Sequence, residues 1–159
     1  MTLGQIIDKL LCSKPKEIGI IDVKDEVSEV ILLIKNLYQV NTAGFVEMVV
    51  NSNTPSIVDF YADWCAPCNH IAPIFKSIAP EYGGVIKFIK IDLDKSPEIA
   101  SHFKINAIPT LMLIKDGMII RTMVGYTDEK KIRRSIDKLL IDEYSTKLIS
   151  DLGLTHERT

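Results

Sequence analysis

Cysteine is scarce in this chain, with three among 159 residues. That number is too small and too oddly placed for a disulfide scaffold, which shows an even count in a shorter secreted chain. No apolar run approaches the roughly 18 residues that a membrane span requires. Charge of one sign is not in excess either: 19 basic and 21 acidic residues, spread along the chain, leave a net charge of -2. No long-range field therefore draws the chain to nucleic acid or to a membrane surface. The opening residues Met1 to Leu11 carry Asp8 and Lys9 inside an apolar pattern, unlike a secretory leader, so the expected address is the cytoplasm. Internal repeats and low-complexity runs are missing as well.

What the chain does have is 47% hydrophobic residues, enough to bury a core of ordinary size. Leu3, Ile6, Ile7, Leu10 and Leu11 recur at helical spacing after the capping residue Thr2. A second amphipathic stretch after Asp22 sets Val23, Val27, Val30, Ile31 and Ile34 on one face and closes with Lys35 and Asn36. Residues 1–35 thus read as a helical extension. It can cover a face of the domain, dimerise it or bind a partner, since its apolar stripes require burial. Cys12 lies beside the first stripe and reads as a buried thiol, with an intermolecular bridge or an oxidation site as alternatives.

From Leu37 the period changes. Leu37 to Val40 reads as a strand, Thr42 as the cap of a helix through Phe45, Met48 and Val49, and Ser56 to Tyr61 as the next strand. A helix is expected from Cys65 to about Tyr82, bent at Pro73, followed by a central apolar strand from Val85 to Ile91. Ser96 opens a helix ending before Asn106. Thr110 to Ile114 and Met118 to Val124 flank Lys115-Asp116-Gly117 as an antiparallel hairpin, and the last helix runs from Asp128 to Ile141. This order predicts an α/β fold with a mixed sheet and helices on both faces. The divisions are an extension over 1–35, a domain over 36–142 and a C-terminal tail over 143–159.

The chemistry centres on Cys65-Ala66-Pro67-Cys68, two thiols one helical turn apart at the start of a helix. Unpaired N–H groups and the positive end of the helix dipole stabilise a thiolate at Cys65 more than at Cys68, which makes Cys65 the nucleophile and Cys68 the resolving thiol. Pro67 stiffens the intervening loop. Such a pair can also be half of a zinc site. Against zinc, no second pair exists, and His70, His102 and His156 lack ligand spacing, so no metal is expected.

The segment Val58-Asp59-Phe60-Tyr61-Ala62-Asp63-Trp64-Cys65-Ala66-Pro67-Cys68 resembles the active-site segment of the thioredoxin family. The likeness runs on through Pro73, Ile108-Pro109-Thr110, Lys115-Asp116-Gly117 and Val124-Gly125, covering about Leu37 to Ile141. It implies a thioredoxin fold and a protein-disulfide reductase, with no cofactor beyond the redox-active disulfide. Its partners would be protein disulfides and a thioredoxin reductase as electron donor. It also implies a cis peptide bond at Pro109, beside the sulfurs, where the preceding backbone at Ile108 pairs with extended substrate. By the same resemblance Asp59 is a buried acid that helps deprotonate the second cysteine, with Lys90 nearby. Trp64, Ala66, Pro67 and Gly125 would line the docking surface.

The residues admit blander roles. Asp59 can be the solvent-facing residue of an alternating strand, but Ile57, Val58 and Phe60 argue that both faces are covered, and a buried carboxyl gains proton affinity suited to a general base. Lys90 fits a solvated charge as well as a catalytic role. Three departures from the family pattern bear on redox potential and partner choice: Ala66 for the usual glycine, Asn69 for a basic residue, and Tyr61 where many members have tryptophan. Two other functions compete: a non-catalytic adaptor built on the same fold, and an oxidant or isomerase of secreted proteins, which would need an export signal.

Overall fold

The computed structural model describes residues 35–153, so the two helices expected in residues 1–34, Cys12 and any dimer made through that extension lie outside the described residues. Asn36, just before the first strand, has a left-handed φ of 51°, a conformation that asparagine tolerates. It is buried there, and its side-chain amide donates to the carbonyls of Ala79 (2.9 Å) and Ile86 (2.7 Å).

Five strands form one sheet. They are β1 (Leu37–Val40), β2 (Ser56–Tyr61), β3 (Lys87–Asp92), β4 (Thr110–Lys115) and β5 (Met118–Val124), in the order β1-β3-β2-β4-β5. β3 pairs parallel with β1 and β2, β2 pairs antiparallel with β4, and β4 with β5, so the sheet is mixed as the element order predicts. β2 is buried along its whole length, because it lies mid-sheet and both its faces are covered. The β4–β5 turn places Asp116 (φ 48°) and Gly117 (φ 70°) in left-handed backbone, which matches the twist of a two-residue hairpin closed by the Lys115–Met118 pair.

One face carries Val58, Phe60, Ile89, Ile91, Met112 and Ile114. Over it lie Phe45 and Val49, from α1 (Thr42–Phe45) and the π-helical turn Val46–Val50 that continues it, and Ile99 from α3 (Pro97–His102). Phe45, Phe60 and Phe103 form a ring cluster with centroids 5.5 to 6.2 Å apart, worth about 1 kcal/mol per pair beyond area burial. Strand alternation turns Ile57, Asp59, Tyr61, Phe88, Lys90 and Leu111 to the opposite face. There α2 (Cys68–Ile78) meets the sheet, with Phe75 edge-on to Phe88 at 5.0 Å.

Several boundaries differ from the sequence reading. The cap of α1 is Asn41, whose side chain accepts from the Gly44 N–H at 2.9 Å, one residue before Thr42. α2 begins at Cys68, three residues later than expected, because Ala62 to Pro67 is spent on tight turns (Cys65 N–H to Ala62 O, Cys68 N–H to Cys65 O). It gives way at Ala79 to a 3-10 turn ending at Tyr82. β3 starts at Lys87 and not at Val85, which is exposed.

The described residues from Thr127 to Gly153 belong to a second compact unit, dominated by α4 (Glu129–Asp151). Its cap is Asp128, accepting from the Lys131 N–H at 2.8 Å. Ile132, Ile136 and Leu139 are buried along it. It continues ten residues past the expected end at Ile141, and its extra turns expose Tyr144, Leu148 and Ile149. Among the described residues no helix is long and apolar enough to cross a membrane.

Candidate active site

β2 delivers the chain to the site and α2 carries it away. Between them Asp63, Trp64, Ala66 and Pro67 are exposed, while Cys65 and Cys68 are turned inward. The two sulfurs are bonded, with their Cα atoms 5.3 Å apart. The Cys68 N–H donates to the Cys65 sulfur at 3.3 Å. This bond is the local form of the electrostatic argument made from sequence. A backbone donor at the first turn of α2 points at the outer sulfur, although Cys65 itself precedes the helix. In this oxidised form Cys65 is 3% and Cys68 2% exposed. The nucleophile expected from the sequence is therefore buried beside its mate in the closed bridge.

The pair packs in a small cluster with Tyr61 and Ala62, with Ile108 lying against it. The Ile108–Pro109 peptide bond is cis. The Pro109 carbonyl accepts from the Gly125 N–H at 2.8 Å, and Gly125 has a φ of 83°, where a side chain would be strained. Residues far apart in sequence thus meet: Cys65 and Cys68 from the β2–α2 turn, Ile108 and Pro109 from the segment before β4, and Gly125 just after β5.

Trp64 is 72% exposed, and its indole N–H donates to Asp94 at 2.8 Å, fixing the ring beside the cysteines. Asp94 was not picked out from the sequence. It sits in the loop after β3 among several acids, where nothing in the local pattern distinguishes it. In the same loop Lys95 pairs with Asp92 (2.8 Å) and reaches Asp63 (3.6 Å), an exposed link between the two loops of the sort worth at most about 1 kcal/mol.

On the α2 side of the sheet, two residues before Tyr61, Asp59 is fully buried and neither carboxyl oxygen has a hydrogen-bond partner among the described residues. Loss of water pushes its pKa from 3.8 up to about 7, and the Lys90 charge offsets only part of that rise. Lys90 is its partner in register on β3, yet the ammonium stands 4.1 Å over the ring of Tyr61 and makes no ion pair with Asp59. The Tyr61 hydroxyl accepts from the side-chain amide of Gln39 at 2.7 Å. Burial, then Asp92 and Asp63, push the Tyr61 pKa up, so the hydroxyl keeps its proton. Tyr61 and Gln39 are the residues here that sequence reasoning did not assign. His70 lies exposed, edge-on to Tyr126 at 6.1 Å. Among the described residues no three His, Cys, Asp or Glu side chains converge as a ligand set.

The family model described as Thioredoxin matches residues 36–138, most of the chain and all of the site just described. The chain belongs to the thioredoxin family. Curated relatives agree with the assignment. Thioredoxin of Haemophilus influenzae is 38% identical over 99 residues, covering 62% of this chain and 92% of that protein. Thioredoxin 1 of Synechococcus elongatus is 40% identical over 101 residues, covering 64% and 94%. The chloroplastic M-type thioredoxin of Spinacia oleracea is 34% identical over 128 residues, covering 80% and 69%. As a thioredoxin with its cysteine pair at bonding distance, the protein is a thiol-disulfide oxidoreductase. The family's reaction uses this disulfide itself as the redox group, and its members act on protein disulfides with reductase partners.

Proposed function

We propose that the protein works as a reductant of protein disulfides in the cytoplasm, recharged by a thioredoxin reductase, with Cys65 as nucleophile and Cys68 as resolving thiol. The observation that carries this reading is the Cys68 N–H aimed at the Cys65 sulfur, a donor suited to a thiolate on the outer cysteine.

In the reduced enzyme the Cys65 thiolate attacks one sulfur of a substrate disulfide. An S–S bond forms between enzyme and substrate, and the other substrate sulfur leaves as a thiolate that takes a proton from water. Cys68 then gives its proton to Asp59 and attacks the Cys65 sulfur, closing the enzyme bridge and expelling the second substrate thiolate, which is protonated as Asp59 releases that proton. The substrate gains two electrons and two protons, and the enzyme ends in the oxidised form described above. The reductase returns two electrons to reopen it.

Asp59 suits the proton-accepting step, since a carboxyl with a pKa of about 7 exchanges protons with little cost at neutral pH. Trp64, Ala66 and Pro67 offer an exposed surface around the pair, and Ile108, Pro109 and Gly125 shape the opposite wall. An extended substrate would lie between them, its backbone beside Ile108. Lys90 acts on Asp59 through its charge.

The test is insulin reduction with dithiothreitol. Wild type should precipitate insulin well ahead of the reagent alone, and Cys65→Ser should fall to the reagent's own rate. Equal rates for the two would favour the adaptor reading, in which the fold holds partners without turnover. Fractionation of cells carrying the tagged full chain would check the address, and recovery outside the cytosolic fraction would reject it.

A further inference from the structure

Gln39, Lys90 and Asp59 form a row across β1, β3 and β2: Gln39 pairs in register with Lys90, and Lys90 with Asp59. Tyr61 lies two residues beyond Asp59 on the same face of β2. Its hydroxyl nevertheless bonds Gln39, two strands away, at 2.7 Å. The side chain must therefore cross over β3, and the residue under its ring is Lys90, with the ammonium 4.1 Å from the ring centroid. Asp59, directly beside Lys90 in the ladder, is left with both oxygens unpaired among the described residues. A half-buried cation next to a buried carboxylate would ordinarily close an ion pair. Here an aromatic face holds the cation instead.

We propose that Tyr61, tethered by Gln39, is a positioning residue that holds the Lys90 ammonium over its ring and away from Asp59, leaving that carboxyl unpaired and free to take a proton. The inference rests on Asp59 being the proton acceptor of the thiol-disulfide reaction. The charged group that faces Asp59 from β3 is Lys90, while its β4 partner, Leu111, is apolar. The thiols of the opened Cys65–Cys68 pair, clustered with Tyr61, are the other titrating groups at that end of β2. Asp63, Asp92 and Lys95 act on the Tyr61 hydroxyl from the loops at the strand ends. With the ring in place Lys90 offsets the burial of Asp59 only in part. Without it the ammonium is released to the carboxylate one strand away, and the carboxyl becomes a weaker proton acceptor.

The experiment is carbon-detected NMR titration of Asp59 in the full-length oxidised protein. In Tyr61→Leu the Asp59 pKa should fall from about 7 to about 6 or lower, the size of effect an opposite charge at contact produces. In Tyr61→Leu combined with Lys90→Met the fall should vanish. An unchanged or raised value in the single variant, or a fall that persists without Lys90, overturns the proposal. Should Tyr61→Leu not fold, wild type and Gln39→Leu decide: the Lys90 methylene protons next to the ammonium should show an upfield ring-current shift in wild type that Gln39→Leu reduces, and ordinary lysine shifts in wild type would overturn the proposal. Insulin reduction by Asp59→Asn separates the two ideas. Full activity there would remove Asp59 from the mechanism without touching the placement of Lys90 over Tyr61.

Discussion

At the scale of single residues, burial of Asp59 couples folding to pH. Its folded pKa lies above its unfolded one, so the folded state binds the proton more tightly. The contribution to stability is fully present below about pH 4 and is lost as pH rises through about 7. A rise from 3.8 to about 7 corresponds to about 4 kcal/mol of lost stability at the alkaline end. Asp59→Asn should therefore gain on wild type as pH climbs from 4 to 8 in urea titrations of the oxidised protein. A constant difference between the two curves would contradict the burial argument. The acid itself was legible in sequence because Ile57, Val58 and Phe60 leave no wet face on that strand. The Tyr61–Lys90 contact was not, since it depends on a side chain crossing between strands that are paired only in the folded sheet.

At the scale of elements, most strands and helices follow from period and punctuation, and the deviations have local causes. Cap choice decided one. Asn41, in extended backbone, offers its side-chain oxygen to Gly44, so Asn41→Ala should cost about 1 kcal/mol while Thr42→Ala leaves the cap intact. Chemical denaturation of both variants checks this, and equal losses would reassign the cap. The β4–β5 turn is a second such site. Gly117 sits at a φ of 70°, and Gly117→Ala should cost about 1–2 kcal/mol from backbone strain, seen as an earlier unfolding midpoint with unchanged slope. The late start of α2 was hidden because Pro67 would fall in the first turn of a helix begun at Cys65, where proline is tolerated, and the turns that displace the start are backbone bonds back to Ala62 and Cys65. The length of α4 was hidden for the opposite reason. Its last ten residues are mostly polar, so they lack the one-sided apolar stripe by which the earlier turns were recognised.

At the scale of the molecule, the redox state is also a stability state. Closing a bridge between residues three apart restricts the unfolded chain by about 2 kcal/mol in the chain-entropy view. The oxidised protein should resist urea more than the reduced one by about that amount, and matching midpoints with and without reductant would show that native-state terms cancel it. In this bonded form both cysteines are buried, with Cys65 only 3% exposed. Reduction is thus expected to expose the nucleophile as well as arm it, which alkylation rates at Cys65 in the presence of reductant would report.

The sequence by itself determined the fold class, the strand and helix order, the cysteine pair and the family, because these reside in short-range period, turn chemistry and a contiguous motif. It also pointed to Pro109 and Gly125 through that motif, without saying that they touch. Only the tertiary structure decided that the Gly125 N–H meets the Pro109 carbonyl, that Trp64 is held by Asp94, and that Lys90 rests on Tyr61 beside an unpaired Asp59. Each joins residues on different strands or loops. Their distance and desolvation are properties of the packed sheet, which local sequence pattern does not encode.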